Sequence, residues 1–187
     1  MSPSELLMRL RVMMESAIPG SLMVQLRDHQ LSGRARLQLG RQLRQVTRQT
    51  GQLLCVNDRL DLALILGADA VHLGEGSVST LEARRLVGDL WISRACHDPS
   101  SMESEADAIL LSPILEARKG RAALGLDALT QARAKLPRPG QRLVALGGVD
   151  VYQAASCISA GADAVAAIGA TLDGDPALLV EALGMGC

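Results

Sequence analysis

One phrase occurs three times in this chain: Gly67–Val71 and Gly161–Val165 both read GADAV, and Glu105–Ile109 reads EADAI. Each copy follows a helical pattern and opens a short apolar run. Small residues and an aspartate at such a junction let a helix end turn tightly into a buried parallel strand. The repetition predicts a chain that iterates one β-loop-α unit and closes into a barrel, whose chemistry lies on the loops after the strand C-termini.

Seven apolar runs predict seven parallel strands. In chain order they are Leu22–Leu26, Leu53–Val56, Ala70–Leu73, Leu90–Cys96, Ala108–Ile114, Leu143–Leu146 and Ala164–Ile168. Where an eighth strand would precede Leu22, the spacing of Leu6, Leu10 and Met14 favours a helix capped by Ser4. The expected fold is therefore an α/β, TIM-type (β/α) barrel that lacks its first strand, built as a single domain over residues 1–187. We expect its open edge to be covered by the N-terminal helix or by a second copy of the chain.

The composition limits the function classes. Hydrophobic residues make up 48% of the chain and aromatic residues 1%, so the core must be aliphatic, as in a parallel barrel. The net charge of −1 gives no general attraction to nucleic acid, and the arginines of Arg34–Arg48 alternate with leucines as on an amphipathic helix. The four cysteines form no CxxC pair and no apolar run reaches membrane-spanning length, so we expect reduced thiols and a cytoplasmic protein with no membrane partner.

Polar residues follow two of the predicted strands. Gln25 and Arg27 lie on one face of a strand, because strand neighbours alternate, but they also fit a polar, exposed strand end. Asn57-Asp58 ends the next strand, where an aspartate could bind a hard cation such as Mg²⁺. The pair fits a helix N-cap equally well.

Two glycine-containing loops follow the last two predicted strands: Gly147-Gly148 and Ile168-Gly169-Ala170-Thr171. Glycines allow backbone N–H groups to approach an anion, and the helix that follows adds its positive N-terminus. The pair of loops predicts a phosphate site, although each loop alone could be a tight turn.

Six segments occur in one order along the chain: Gln25-Leu-Arg27, Val56–Arg59, Gly67–Gly74, Ser112-Pro113-Ile114, Ala145–Val149 and Gly161–Val165. This series resembles the thiamine-phosphate synthase family, which includes the thiazole tautomerases, and the resemblance extends from Leu22 to Thr171. The family's synthase joins hydroxymethylpyrimidine pyrophosphate to thiazole phosphate and releases pyrophosphate with the help of Mg²⁺. The resemblance thus implies a role in thiamine biosynthesis with small phosphorylated ligands as partners.

The resemblance also implies a role for individual positions. The pyrimidine pyrophosphate would be held by Gln25, Arg27 and Asn57, and Mg²⁺ would bind Asp58. The thiazole phosphate would be lined by Gly148, Ala167 and Ile168. A pyrimidine cation forms as pyrophosphate leaves, so positive groups on the pyrophosphate supply the catalysis.

The chain departs from the family pattern at four places. His29 stands where the family has a pyrophosphate-binding lysine, Ser77 where it has a second Mg²⁺-binding aspartate, and Ala95 where it has a serine. A Thr-x-Thr-Lys loop is replaced by Glu116–Gly120, in which Lys119 is the candidate catalytic cation. Since each preorganised contact contributes several kcal/mol, we expect weak or absent synthase activity.

His97 offers a second function. It lies where thiazole tautomerases carry a histidine that moves a proton, a step that needs neither metal nor pyrophosphate. Alternatively, it caps a short helix that begins at Asp98-Pro99. Three hypotheses therefore stand: a divergent synthase, a tautomerase-like enzyme that uses His97, and a non-catalytic phosphate-ligand-binding or scaffold protein.

Overall fold

A computed structural model describes residues 3–103, 105–169 and 176–184 of the 187-residue chain. The strands in this part of the chain are β1 (Met23–Leu26), β2 (Leu53–Asn57), β3 (Ala70–Leu73), β4 (Trp91–Cys96), β5 (Ala108–Leu111), β6 (Arg142–Leu146) and β7 (Ala164–Ala166). The helices are α1 (Pro3–Glu15), α2 (Gly33–Thr50), α3 (Leu60–Leu66), α4 (Thr80–Val87), α5 (Asp127–Ala134), α6 (Ala154–Ser159) and α7 (Pro176–Ala182).

The chain divides into two compact units, and the boundary falls after Ile92, inside β4. In the first unit β1 pairs with β2 and β2 with β3, all in parallel. In the second unit β4, β5, β6 and β7 pair in parallel in that order. The prediction of seven parallel strands in chain order is therefore confirmed, while the single-domain assignment stays a prediction.

The core of each unit is aliphatic, as the composition predicted. In the first unit the fully buried side chains include Leu54, Val56, Val71 and Leu73. In the second unit they include Ile109, Leu111, Leu129, Leu143 and Ile114. Strands with apolar residues on both faces are typical of parallel sheets covered by helices.

The segment before β1 is a helix, as the leucine spacing predicted. Met14 of α1 is fully buried in the core of the first unit. The buried Gln52 side chain fastens the end of this helix: its amide nitrogen donates to the carbonyl oxygens of Met14, Ala17 and Ile18, and its oxygen accepts from Leu22 N–H at 3.0 Å. Within the described residues of this unit, β1 pairs with a strand on one side only, that of β2.

The repeated phrase has a structural reason, because its aspartate ties two strands together. Asp69 Oδ2 accepts from Leu54 N–H at 2.8 Å and from Arg44 of α2 at 2.6 Å. In the second unit Asp163 Oδ2 accepts from Leu143 N–H at 2.7 Å and from Arg133 of α5 at 2.5 Å. Each aspartate directly precedes one strand and accepts from the second residue of the neighbouring strand and from a helix. We call these two arrangements the aspartate clamps.

Several predicted boundaries were wrong. The strand predicted over Ala108–Ile114 ends at Leu111, since Pro113 has no N–H for the ladder. The last strand ends at Ala166 and not at Ile168. Ser4 lies inside α1, which already begins at Pro3, and so it is not the N-cap residue.

Two further expectations concern the environment of the chain. Among the residues that the structure describes, the helices fall short of the length and apolar character that a bilayer-crossing helix needs. Cys55, Cys96 and Cys157 are buried free thiols. Burial raises the pKa of Cys55 to about 12, so this thiol stays protonated near neutral pH.

The clamp at Asp163 predicts a pH-dependent stability. Burial would raise the pKa of Asp163, but hydrogen bonds from Leu143 N–H and Arg133 outweigh it, so the pKa lies below the ordinary 3.8. A depressed carboxyl pKa stabilises the folded state above the unfolded pKa, and this contribution is lost as the pH falls through the folded value. We expect Asp163→Asn to lower the free energy of unfolding by about 1–3 kcal/mol near neutral pH. The difference from wild type should shrink below about pH 4, as urea unfolding at several pH values would measure.

The matched control is Asp89→Asn. Asp89 is exposed and makes no hydrogen bond with any residue that the structure describes. Its replacement should change stability by less than about 0.5 kcal/mol at any of these pH values. Equal effects of the two substitutions would contradict the clamp.

Candidate functional site

The predicted polar residues of the first unit form one hydrogen-bonded network at the carboxyl ends of β1, β2 and β3. Gln25 Nε2 donates to Asn57 Oδ1 at 2.9 Å, and Asn57 Nδ2 donates to Asp58 Oδ2 at 2.7 Å. The other carboxylate oxygen, Oδ1, accepts from Gly74 N–H at 3.2 Å and from the Ser77 hydroxyl. We call these five residues the Asp58 network. It brings together three of the residues predicted for this site and joins them to the loop after β3.

Asp58 has a backbone conformation that is uncommon for a residue with a side chain. Its φ is 58°, in the left-handed region, and its N–H donates to the carbonyl oxygen of His72 at 2.9 Å. Such a conformation costs energy and tends to occur at functional sites. The parallel pairing of β2 with β3 places Asn57 beside His72 of β3.

The alternative that Asn57-Asp58 caps a helix is wrong. In this part of the described chain α3 begins after Arg59, and its N-cap position carries no side-chain capping bond. The side chains of Asn57 and Asp58 instead bond to each other and to the other strand ends. The pair therefore orders the strand ends and not the helix.

Arg27 is a cation two residues after Gln25 of the network. It lies one residue beyond β1, it is exposed, and it makes no ion pair with any described residue. His29, which stands where the resemblance implies a lysine, is also exposed. The guanidinium of Arg27 is thus accessible to an anionic ligand.

The donor set around Asp58 lacks the second carboxylate of the magnesium site that the resemblance implies. Asp58 is the one acid of the network, and three donors already engage its two oxygens. Across residues 3–103, 105–169 and 176–184, no group of three or more histidine, cysteine and acidic side chains could hold a metal ion. Mg²⁺ requires near-octahedral oxygen coordination, commonly with one or two carboxylates. Coordination by Asp58 would compete with the bond from Ser77.

In the second unit, His97 is held by the strand end next to its own. It directly follows β4, and its Nδ1 lies 2.7 Å from the carbonyl oxygen of Ser112, the residue that follows β5. A carbonyl oxygen only accepts, so we assign the proton to Nδ1, and the Ser112 hydroxyl oxygen at 3.3 Å is a second acceptor for it. In this tautomer the lone pair is on Nε2, which is the form that a general base needs.

The alternative that His97 caps a helix is also wrong. The described residues after it, 98–103, form turns and no helix. The Asp98 side chain accepts from Ser100 N–H at 2.8 Å, and the Asp98 carbonyl oxygen accepts from Ser101 N–H at 3.0 Å. The bond to Ser112 is what orients the imidazole.

The Gly147-Gly148 turn after β6 is shaped by the loop after β5. The φ values are 105° and 73°, and Leu115 N–H donates to the Gly147 carbonyl oxygen at 2.8 Å. A Cβ added to Gly148 would lie 2.7 Å from Glu116 Cβ and 2.9 Å from its backbone nitrogen. Backbone conformation and close packing therefore explain why both positions are glycine. Their presence alone does not establish a phosphate site.

The loop that contains Lys119 is a basic hairpin. Arg118 and Arg121 exchange two backbone hydrogen bonds of 3.0 Å around Lys119 and Gly120, whose φ values are 52° and 76°. Two positive φ values are typical of the type I′ turn that closes a tight hairpin. We call Arg118–Arg121 the basic hairpin; it presents the exposed Lys119 between two arginines.

The remaining predicted positions follow β7. Ala167 is half-buried and Ile168 is 43% exposed. Ala170 and Thr171 of the second predicted phosphate loop lie outside the described residues. The phosphate site therefore stays a prediction, and the structure describes only part of it.

Sequence reasoning missed two functional contacts. Ser112 was noted as part of a motif, but nothing in its spacing indicates that its carbonyl oxygen orients His97. Ser77 was interpreted as a lost metal ligand, whereas it donates to the carboxylate of Asp58. The resemblance placed positions 58 and 77 at one metal site, but nothing in the sequence indicates the hydrogen bond between the two side chains.

Comparisons with known proteins identify the family of the chain. A family model described as thiamine monophosphate synthase matches residues 4–171. The chain is 39% identical over 170 residues to the thiamine-phosphate synthase of Methanoculleus marisnigri, covering 86% of this chain and 79% of that protein. It is 36% identical over 160 residues to the thiamine-phosphate synthase of Gloeobacter violaceus, covering 82% of this chain. The chain spans about half the length of that second relative, 46%.

A solved structure supports the fold. The thiamine phosphate pyrophosphorylase from Pyrococcus furiosus superposes with a TM-score of 0.82 and 24% identity, covering 95% of this chain and 89% of that one. At this identity the likeness concerns the fold alone, and it agrees with the predicted α/β, TIM-type architecture.

The packing of Gly148 predicts a stability effect that is independent of any ligand. We expect Gly148→Ala to lower the free energy of unfolding by about 2–4 kcal/mol, from positive φ and from overlap with Glu116. Gly140→Ala is the matched control, since Gly140 has a φ of 81° but an added Cβ meets nothing within 4 Å. It should cost only about 1 kcal/mol. Urea unfolding measures both, and equal losses would contradict the close approach.

Proposed function

Because the chain belongs to the thiamine monophosphate synthase family, we propose that it binds the two phosphorylated substrates of thiamine-phosphate synthesis and couples them slowly or not at all. The family places the chain in thiamine biosynthesis. The observation that carries the proposal is the Asp58 network, in which Gln25, Asn57 and Asp58 are ordered together at the strand ends although they cap no helix.

Residues of the first unit supply the pyrimidine half of the proposal. Gln25 and Asn57 are joined through one amide hydrogen bond, so each keeps further donors and acceptors for a pyrimidine ring or a phosphate oxygen. The accessible guanidinium of Arg27 can bind phosphate oxygens in bidentate fashion. Preorganised side chains lose little entropy on binding, which supports substrate binding in this unit.

Residues of the second unit supply the thiazole half. We propose that Gly148, Ala167 and Ile168 line the thiazole phosphate. Gly148 N–H donates to no acceptor within the described residues, and backbone N–H groups in glycine turns are common phosphate ligands. Lys119 of the basic hairpin is the proposed catalytic cation, with Arg118 beside it.

The chemistry explains why the coupling should be slow. As the carbon–oxygen bond to pyrophosphate breaks, negative charge accumulates on the leaving group, and the thiazole nitrogen then donates its electron pair to the pyrimidine carbon. Fixed positive groups near the leaving group lower this barrier. With His29 in place of a lysine and no fitting magnesium site at Asp58, fewer such groups remain. In our proposal Arg27 carries this role in the first unit, and Lys119 is assigned to it only by its position in the loop where the family has a lysine.

The test is formation of thiamine phosphate from the two substrates, measured beside an active family member. We expect the wild-type chain to be slower by at least about a hundredfold, since one electrostatic contact alone contributes that much. His29→Lys should raise the rate, because it restores a cation. Lys119→Asn should lower it, because asparagine accepts the positive φ at this position and therefore preserves the turn while removing the charge.

Lys135→Asn is the control for loss of an exposed lysine, since Lys135 lies at the end of α5, outside the proposed site. It should leave the rate unchanged. Turnover equal to that of the active relative would contradict the proposal. Tight binding of both substrates without any product, in the wild type and in His29→Lys, would instead favour the non-catalytic alternative.

A second function is favoured by the geometry of His97. Its bond to the Ser112 carbonyl oxygen gives the tautomer with a basic Nε2, and proton transfer needs no pyrophosphate contact. We therefore propose thiazole tautomerase-like proton transfer as the alternative activity. In this step Nε2 removes a proton from a ring carbon and returns one to another position of the same ring.

This alternative predicts proton exchange on thiazole phosphate compounds in heavy water, followed by proton NMR. We expect His97→Gln to reduce the exchange rate by about a hundredfold or more. Ser112→Ala removes only the hydroxyl contact and keeps the carbonyl that orients Nδ1, so it should change the rate by less than about tenfold. Exchange at the wild-type rate in His97→Gln would contradict a role for the imidazole.

The proposal extends to location and assembly. We propose a cytoplasmic protein with reduced thiols, and no nucleic-acid partner, in keeping with the net charge of −1. We further propose that a second copy of the chain or the N-terminal helix covers the edge of β1, which pairs with a strand on one side only among the described residues.

A further inference from the structure

Two hydrogen-bond donors of the loop after β3, at positions 74 and 77, bind the carboxylate of Asp58. Gly74 N–H and the Ser77 hydroxyl both donate to Oδ1 of Asp58, and Asn57 donates to Oδ2. The turn between them is itself closed by Ser77 N–H, which donates to the Gly74 carbonyl oxygen at 3.2 Å. The Asp58 carboxylate is therefore hydrogen-bonded on both oxygens by the protein alone.

A carboxylate in this position needs positive charge or donors around it. Two neighbouring carboxylates repel, and a bound cation allows both to stay ionised. A serine hydroxyl does the opposite of a second carboxylate: it donates to the charged oxygen, and such charge-assisted bonds are among the stronger hydrogen bonds in proteins. With serine at position 77, the charge of Asp58 is stabilised in the absence of any ion.

We propose that Asp58 in this chain is a hydrogen-bond anchor and not a magnesium ligand, with the Ser77 hydroxyl in the place of the ion. The anchor connects the ends of β1 and β2 to the Gly74–Ser77 turn through Gln25, Asn57 and Asp58. The first unit therefore holds its ligand-binding end in order without a divalent cation. This inference rests on the family assignment for position 77 and not on the substrates proposed above.

The anchor makes a specific prediction about single substitutions. In Ser77→Asp the donor is replaced by a second carboxylate beside Asp58, so the network becomes repulsive and gains the ligands of a cation site. In Ser77→Ala the donor is lost and no ligand is gained. Only the first variant should therefore become dependent on magnesium.

The experiment is thermal unfolding of the ligand-free chain in EDTA and in about 10 mM MgCl₂, because an ion that binds only the folded state raises Tm. We expect the Tm of wild type to differ by less than about 1 °C between the two conditions. Ser77→Asp should unfold at least about 3 °C below wild type in EDTA and regain most of this in magnesium. Ser77→Ala should unfold about 2–4 °C below wild type in both.

Two further variants complete the test. Ser156→Asp adds a carboxylate at an exposed position of α6 and should show no magnesium dependence. Asp58→Asn removes the charge. It tests whether magnesium binds at Asp58 in the wild type, even if Ser77→Asp does not fold. A saturable rise in the Tm of wild type with magnesium that disappears in Asp58→Asn would overturn the inference. No substrate is present, so this result is independent of whether the synthase assay shows turnover.

Discussion

The aspartate clamp is the interaction on which the arrangement of each unit depends. A parallel strand of four or five residues contributes few ladder hydrogen bonds, and a slip of one residue would turn every side chain to the opposite face. Asp69 removes this ambiguity in the first unit. Its carboxylate accepts from Leu54 N–H, and its backbone N–H donates to the Leu54 carbonyl oxygen. Since the strands are short, setting the register at one end also sets which residues reach the other. Asn57 and Asp58 end up beside His72 for this reason.

The two ends of the strands therefore have different tasks. At the clamped end, charges are paired and partly buried, as Arg44 with Asp69 and Arg133 with Asp163. At the other end, side chains are more exposed and one backbone residue, Asp58, is held in an unfavourable conformation. Strain of this kind persists only where the surrounding structure determines it strongly, and the clamps provide that rigidity. Stability and candidate chemistry are in this way separated along the same strands.

Much of the fold could be predicted because the repeated phrase marks the start of three strands directly. What could not be predicted were the ends, and β5 shows why. The run from Ala108 to Ile114 is mostly apolar and mostly buried, and Ser112 in it is buried too, so hydrophobicity does not reveal where the strand stops. The strand ends because Pro113 has no N–H for the ladder, and beyond it Ile114 N–H bonds to the Leu146 carbonyl oxygen at 2.9 Å from the loop. Likewise, Asp98-Pro99 has the composition of a helix start, but local bonds to Ser100 and Ser101 close a turn first.

The sequence predicted which residues lie at the candidate site but not which of them contact one another. The chemistry of Asp58 depends on which groups face it, and its donors come from the end of its own strand and from a loop 16 to 19 residues further on. A sequence motif records only that an aspartate is present and that Ser77 is not a second acid. The geometry adds that the same serine supplies a donor, so that removing one negative charge and adding one hydrogen bond leaves the remaining carboxylate stabilised. The serine at position 77 thus removes a metal ligand and at the same time orders the network, and both effects follow from the same side chain.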